Sequence, residues 1–210
     1  SMVGNYTANK RRRSDDPFAP GGNAGGRPDR TVNAYCNNLR NKFGKSVFIV
    51  AGGLEAGLRR FAHYDFWSDS VRRPLLMDCG ADVLVHGSGE GPIVEIASRL
   101  SDLLEQNPEL VEARKAGRPA DPSLQVDAVK TVPGVVYREA KSKPAPVKGL
   151  CLPSFEQVAE NNHAHAHAFA LQTKNHDLLQ YQECVGMRVI ANPPWLSLTT
   201  REIDRIFGLP

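Results

Sequence analysis

The chain has 210 residues, of which 41% are hydrophobic, and a formal net charge of +3 at neutral pH. This length and apolar content suffice for one α/β domain with a buried core, while the small net charge by itself gives no case for nucleic-acid binding. No apolar run reaches 18 residues and residues 1–30 lack the apolar stretch of a signal peptide, so we expect neither a membrane-spanning helix nor a membrane partner.

The N-terminal part changes character near residue 31. Residues 1–30 are rich in glycine, proline and charge without apolar periodicity, which indicates a mobile basic loop. The pattern changes from Asp29, and apolar side chains at helical spacing between Val32 and Phe43 predict a helix, with Gly44 as a suitable stop. The apolar run of residues 46–51 is typical of a strand covered on both faces, and Gly52–Gly53 begin the turn after it.

The same order recurs at Val83–Val85, where a strand leads into the turn Gly87–Gly91 and then a helix. Two strand–turn–helix units predict an open, mostly parallel α/β sheet of Rossmann-like type. We expect Val47–Ala51 and Val83–Val85 to be adjacent inner strands. Right-handed crossovers then place Gly52–Gly53 and Gly87–Gly91 at one edge of the sheet.

The remaining elements divide the chain further. Residues 134–140 predict a third strand, which belongs with the α/β domain that we assign to residues 31–150. Residues 151–210 predict a C-terminal extension with one long helix, a short strand, a linker and a final short helix. Capping boxes at Ser154–Gln157 and Thr199–Glu202 begin its two helices.

Three alternating histidines lie on the long predicted helix. They would share one face on a strand, but on a helix His163 and His167 form an i,i+4 pair on the flank and His165 lies at the edge of the buried side. Two histidines lack the further ligands that a zinc site needs, so we expect no native metal site. Adventitious nickel or zinc is the alternative. The predicted buried side consists of Phe155, Val158, Asn162, Ala166 and Phe169.

The turn GSGEG differs from the dinucleotide fingerprint, and Glu90 within it would repel a pyrophosphate. A tight turn, or a role at the switch point of the sheet without NAD, remains open. The run KRRR at 10–13 is consistent with a solvated loop; nucleic-acid contact is possible, although no interleaved aromatic residue supports it.

The stretch LRRFAHYDFWSDSVRR, residues 58–73, places charge and aromatic surface directly after a strand. One interpretation is a loop held by internal salt bridges to Asp65, Asp69 and Asp78. The other is a rim that binds an anionic ligand or docks a second domain, because open α/β sheets bind ligands beyond the carboxyl ends of their strands. The candidate ligand-binding residues are Gly52, Gly53, Glu55, Arg59, Arg60, His63, Tyr64, Asp65, Arg72, Arg73, Gly87, Gly89 and Glu90.

Several segments carry a resemblance to a known family. VFIVAGGLEA, ADVLVHGSGE and GVVYRE, in this order, are similar to the cobalamin-binding-type α/β domain that precedes many radical-SAM cores. MVGNYTANKRRRSDD, PGGNAGGRPDR, GGLEAGLRRFAHYDFWSDSVRR and ANPPWLSLTTREID resemble, more specifically, the N-terminal half of the YgiQ family of radical-SAM proteins. The resemblance covers most of the chain and is weakest at residues 105–130 and across the histidine-rich helix.

The resemblance implies a parent protein with a [4Fe–4S] cluster that cleaves S-adenosylmethionine to a 5′-deoxyadenosyl radical, which abstracts hydrogen from an unidentified substrate. The cysteines at 36, 79, 151 and 184 do not form the CxxxCxxC triplet, which we expect beyond Pro210. The family's Asp-x-His-x-x-Gly motif is also missing, so cobalamin binding through that histidine is not supported.

The leading hypothesis is therefore an N-terminal accessory domain that covers the radical-SAM core, contributes rim residues to substrate binding and carries no cofactor of its own. Its partner would be its own radical-SAM core, where the cluster and S-adenosylmethionine bind. The alternative is a non-catalytic module for an anionic ligand or RNA. Four scattered cysteines are typical of a reducing compartment, so we expect a cytoplasmic protein.

Overall fold

A computed structural model describes residues 2–116 and 122–209. The helices are α1 (Met2–Asn5), α2 (Thr31–Phe43), α3 (Gly53–Leu58), α4 (Leu75–Asp78), α5 (Glu90–Gln106), α6 (Pro108–Lys115), α7 (Pro122–Val129), α8 (Phe155–Glu160), α9 (Asn162–Lys174) and α10 (Thr200–Phe207). The strands are β1 (Val50–Ala51), β2 (His63–Asp65), β3 (Ser70–Arg72), β4 (Val83–Val85), β5 (Val135–Ala140), β6 (Leu150–Cys151), β7 (Gln180–Cys184) and β8 (Met187–Ala191).

The central sheet is open and mixed, with the strand order β1-β4-β5-β8-β7-β6, and β2 and β3 form a separate hairpin. The prediction of mostly parallel strands holds for β1–β4 and β6–β7 only, since β4–β5, β5–β8 and β7–β8 are antiparallel. One physical reason is the turn Val185–Gly186 between β7 and β8. Both turn residues have positive φ, and a two-residue turn of this kind joins antiparallel neighbours.

The predicted neighbours β1 and β4 do pair in parallel. The regular strand is shorter than the predicted Val47–Ala51, and β1 lies at the edge of the sheet rather than inside it. Because the two strands run in the same direction, Gly52–Gly53 and Gly87–Gly91 follow carboxyl ends at one edge, as predicted. A Cβ on Gly52 would lie 3.7 Å from the carbonyl oxygen of Val85.

Helices cover both faces of the sheet, and β4 shows why. Its three residues are fully or almost fully buried, with Leu84 packed into a core that includes Ala56 of α3 and Leu76 of α4. Val83 and Val85 point to the other face, into a core that includes Ile96 of α5. This alternation follows from the period of two residues in a strand and explains the continuous apolar run in the sequence. In the described ranges, no helix has the length and apolar content to cross a membrane.

The histidine-rich segment is helical, but it forms two helices instead of one. Asn161 interrupts the helix with extended backbone and caps α9 through its side chain, which accepts hydrogen bonds from the backbone N–H groups of His163 and Ala164. The interruption changes the phase of the apolar face. Val158 of α8 and Ala168 of α9 are buried, whereas the expected core residue Phe169 is 66% exposed. The predicted capping boxes at Ser154 and Thr199 are confirmed.

Residues 2–30 contain little regular structure, as predicted, but they are organised by buried polar side chains rather than left open. Asp16 is fully buried, and Arg27 donates to it through Nε at 2.6 Å and Nη2 at 2.8 Å. Asn5 is also buried and donates to Asp29 at 2.8 Å. These contacts give the basic segment a defined path across residues 5–29.

Candidate functional site

Backbone conformation and close packing explain the glycines in the two turns at the β1–β4 edge. Gly53 and Gly87 adopt positive φ values of 82° and 76°, which favour glycine. A Cβ on Gly91 would come within 2.3 Å of the Trp195 ring, so this glycine lets the indole pack against the start of α5. Packing therefore accounts for the GSGEG turn, and Glu90 is exposed as the first residue of α5.

The same edge exposes apolar side chains on both helices that begin there. Leu54 and Leu58 of α3 are 84% and 73% exposed, and Ile93 and Val94 of α5 are 48% and 68% exposed. We call these four residues the edge patch. Single exposed apolar side chains are ordinary, but several on two helices at one edge of a sheet form a larger apolar surface than usual.

The charged stretch forms the end of α3 and the β2–β3 hairpin, and Asp65 is the centre of its charges. The Asp65 carboxylate is buried and accepts hydrogen bonds from Arg30 Nη2 at 2.5 Å and Ser68 Oγ at 2.6 Å. Burial raises the pKa of this carboxyl. The hydrogen bonds from Ser68 and Arg30 lower the pKa by more than burial raises it, so the pKa lies below its ordinary value. Arg59 lies 3.8 Å from Asp65 and 2.8 Å from Glu55.

The other charges of the stretch are paired in the same way. Arg72 lies 3.5 Å from Asp78, and Arg73 donates a hydrogen bond to the same carboxylate. Tyr64 donates its hydroxyl hydrogen to Asp69 at 2.5 Å, which raises the pKa of the phenol. The interpretation as an internally salt-bridged loop thus describes most of these side chains.

The aromatic tip of the hairpin holds the N-terminal segment. The rings of Tyr6 and Trp67 lie 4.9 Å apart between centroids, and the Lys10 ammonium lies 4.5 Å from the centroid of the Phe66 ring. Together with the Arg30–Asp65 pair, these contacts explain why aromatic residues follow a strand here. Sequence reasoning missed this partner because nothing in the spacing of residues 1–30 points to the hairpin.

Arg60 and His63 behave differently from their neighbours. Arg60 donates from Nη1 to the carbonyl of Gly57 at 2.6 Å, while its buried Nε has no partner and no described carboxylate pairs with it. His63 donates from Nδ1 to the carbonyl of Phe61 at 3.1 Å, and burial lowers the pKa of its imidazole. Both side chains line a cavity of about 740 Å³ between the hairpin and α9.

The predicted site residues are therefore divided between two places. The cavity brings Arg60, His63 and Tyr64 together with α9, whereas Gly52–Gly53 and Gly87–Glu90 lie at the β1–β4 edge. In the described parts of the chain, none of these glycines, nor Glu90, lines the cavity.

His86, at the end of β4, was not among the predicted site residues. It is 8% exposed, and its Nε2–H donates to the carbonyl of Asn192 at 2.8 Å. Burial and the nearby charge of Arg60 lower the pKa of His86 to about 4, which keeps it neutral at pH 7. Its position at the carboxyl end of a parallel strand was the available signal.

The four cysteines do not converge on one point. Cys36 and Cys79 are buried side by side, and a hydrogen bond from the Cys36 thiol lowers the pKa of Cys79. Cys184 is buried and Cys151 is exposed on β6. Among residues 2–116 and 122–209, no group of three His, Cys, Asp or Glu side chains is placed to hold a metal ion. Because a [4Fe–4S] cluster needs converging thiolates, this donor set does not fit one.

Comparison with known proteins identifies the family. The profile of the family described as "Radical SAM N-terminal" matches residues 1–210. UPF0313 proteins of Clostridium botulinum and Thermotoga neapolitana are 39% and 42% identical to the chain over its full length, and the match covers 30% and 34% of their own lengths. A UPF0313 protein of Thermotoga petrophila is 41% identical and is also covered to 34%. The chain thus spans about a third of the curated relatives that it matches, and no solved structure matches it. The predicted relationship to a radical-SAM family is confirmed, and the chain belongs to the radical SAM N-terminal family.

Proposed function

We propose that this chain is the N-terminal domain of a radical-SAM enzyme, and that the remainder of that enzyme carries the [4Fe–4S] cluster and binds S-adenosylmethionine. The observation that carries the proposal is the profile match over residues 1–210. The length of the relatives leaves about two thirds of such a protein for a catalytic core. The substrate of the parent enzyme is not assigned.

The cysteine positions support this division of labour. The buried Cys36–Cys79 pair is part of the core around α2 and α4, and Cys184 and Cys151 lie on separate strands of the sheet. No step of the reaction is therefore assigned to thiols of this chain. We propose that its own contribution is a surface against which the core packs.

The edge patch is the surface that we assign to this contact. Leu54, Ile93 and Val94 lie near the starts of the two helices that follow β1 and β4, which is where open α/β sheets meet their ligands and partners, and Leu58 lies at the end of α3, where it also lines the hairpin–α9 cavity. We propose that this β1–β4 unit is the Rossmann-like part of the domain and that the catalytic core covers it. Arg59, Arg72 and Arg73 are engaged with carboxylates, so the proposal does not extend to RNA.

The test uses the full-length parent protein with a charge placed in the edge patch. Leu54→Asp and Val94→Asp change exposed side chains, so each should alter the stability of the isolated chain by no more than about 0.5 kcal/mol. In the parent enzyme we expect a loss of S-adenosylmethionine cleavage, measured as 5′-deoxyadenosine formed. Val147→Asp, at a fully exposed position between β5 and β6, is the matched control. Edge-patch variants with the same cleavage rate as this control contradict the assignment.

A further inference from the structure

The cavity between the β2–β3 hairpin and α9 has the size and composition of a small-molecule site. Its volume of about 740 Å³ is within the usual range for ligand pockets of roughly 300–1,000 Å³. Apolar walls come from Phe61, Leu152 and Phe169, and polar groups come from both sides. A mainly apolar cavity with a few convergent polar groups is the form that a binding site for a small organic molecule takes.

Arg60 carries the one formal charge in the described lining of the cavity. The lining also contains His63, His165 and His176, and as described it contains no aspartate or glutamate. Other arginines of the same stretch, such as Arg59, reach carboxylates, but no described carboxylate pairs with Arg60. A partly buried guanidinium without a counterion is unfavourable, and an anion bound beside it removes that penalty.

The hydrogen-bonding state of His63 makes it an acceptor toward the cavity, so it suits an N–H or O–H group on the ligand body and not the anionic group itself. Its Nδ1 carries the hydrogen, because it donates to the carbonyl of Phe61 at 3.1 Å. The lone pair of Nε2 is then available to accept a hydrogen bond. Gln182 also lines the cavity, but its amide is already hydrogen-bonded within the protein. Its Oε1 accepts from the backbone N–H of Ala62, and its Nε2 donates to the carbonyl of Pro153, so it holds these two segments of the lining in place.

We propose that this cavity binds a small organic anion, with a carboxylate or phosphate group beside the Arg60 guanidinium and an apolar body against Phe61 and Phe169. The site can be tested on this chain without a catalytic core, and Leu58 is the one residue of the described lining that also belongs to the edge patch. The result of an anion-binding experiment on this chain therefore supports or contradicts the proposed site without testing the proposed radical-SAM role.

The experiment is calorimetric titration of the 210-residue chain at fixed low salt with 3-phenylpropanoate, phenyl phosphate and the neutral 3-phenylpropanol. We expect one site for at least one anion and at least tenfold weaker binding of the alcohol. Arg60→Gln should weaken anion binding about ten- to hundredfold, because it removes a charge-assisted interaction. The control Arg205→Gln removes an exposed charge from α10 and should leave the affinity unchanged.

A second variant covers the case in which Arg60→Gln does not fold. Phe169 is 66% exposed, so Phe169→Ala should fold and still weaken binding at least threefold by removing an apolar wall. The comparison of the two anions tells whether carboxylate or phosphate is preferred. Equal affinities for the anions and the alcohol, no saturable anion binding, or unchanged affinity in both cavity variants would each overturn the proposal.

Discussion

Asp65→Asn tests whether the charged stretch is held together from inside. The Asp65 side chain is 1% exposed and accepts from Arg30 at 2.5 Å and Ser68 Oγ at 2.6 Å. Asparagine keeps the shape but replaces one acceptor by a donor and leaves the guanidinium without its counterion. Removing one partner of a buried ion pair costs about 3–5 kcal/mol. Since Arg30 is 29% exposed and can be rehydrated, we expect a smaller loss of about 2–3 kcal/mol in the free energy of unfolding.

The assay is urea denaturation of the 210-residue chain followed by circular dichroism. The matched control is Asp69→Asn, an exposed position with φ of 49°, a value that asparagine tolerates, where we expect a change within about 0.5 kcal/mol. Combining Asp65→Asn with Arg30→Gln should cost less than the sum of the single changes. If Asp65→Asn is as stable as the control, the hairpin is not held by its internal ion pair and the functional-rim interpretation regains its basis.

Three further predictions concern stability. Gln182→Ala should cost about 2–4 kcal/mol in urea denaturation, because two main-chain partners of a 1% exposed amide lose their hydrogen bonds; a change below 0.5 kcal/mol would contradict this. Val185→Asn should raise the unfolding free energy by about 1 kcal/mol, since a β-branched residue holds φ of 48° beside Gly186, and an unchanged midpoint would speak against strain there. Asp16 and Asp65 have folded pKa values below the ordinary range, so their stabilisation is complete above about pH 4 and is lost as the pH falls through those lowered values. Asp65→Asn should accordingly reduce the acid-induced loss in a pH series of denaturation curves.

The sequence predicted local elements well where their signals are local. The helix Thr31–Phe43 ends at Gly44 as expected, because apolar spacing and a glycine stop are properties of neighbouring residues. Its apolar face was less predictable: Cys36 is buried, whereas Tyr35 is 51% exposed. Periodicity identifies an apolar face but does not tell whether the surface that covers it belongs to the same chain.

The mixed pairing of the sheet escaped prediction for a related reason. Val185–Gly186 lacks the Asn-Gly or Asp-Gly signature of a tight hairpin, so β7 and β8 were not predicted as a pair. Tertiary neighbours were also inaccessible, since Cys36 and Cys79 are separated by an entire strand and hairpin and meet only through packing of α2 on the end of α4. In the candidate site, sequence reasoning singled out Arg60 and His63 but not the α9 side chains opposite them, because the break at Asn161 sets the orientation of α9.

The division of labour between this domain and a catalytic core is tested most directly by comparing the 210-residue chain with the full-length parent. Both are reconstituted anaerobically with iron and sulfide, and bound iron and 5′-deoxyadenosine are measured side by side. We expect a cluster of four irons and 5′-deoxyadenosine formation from the parent only. A 210-residue chain that binds four irons and forms 5′-deoxyadenosine on its own contradicts it.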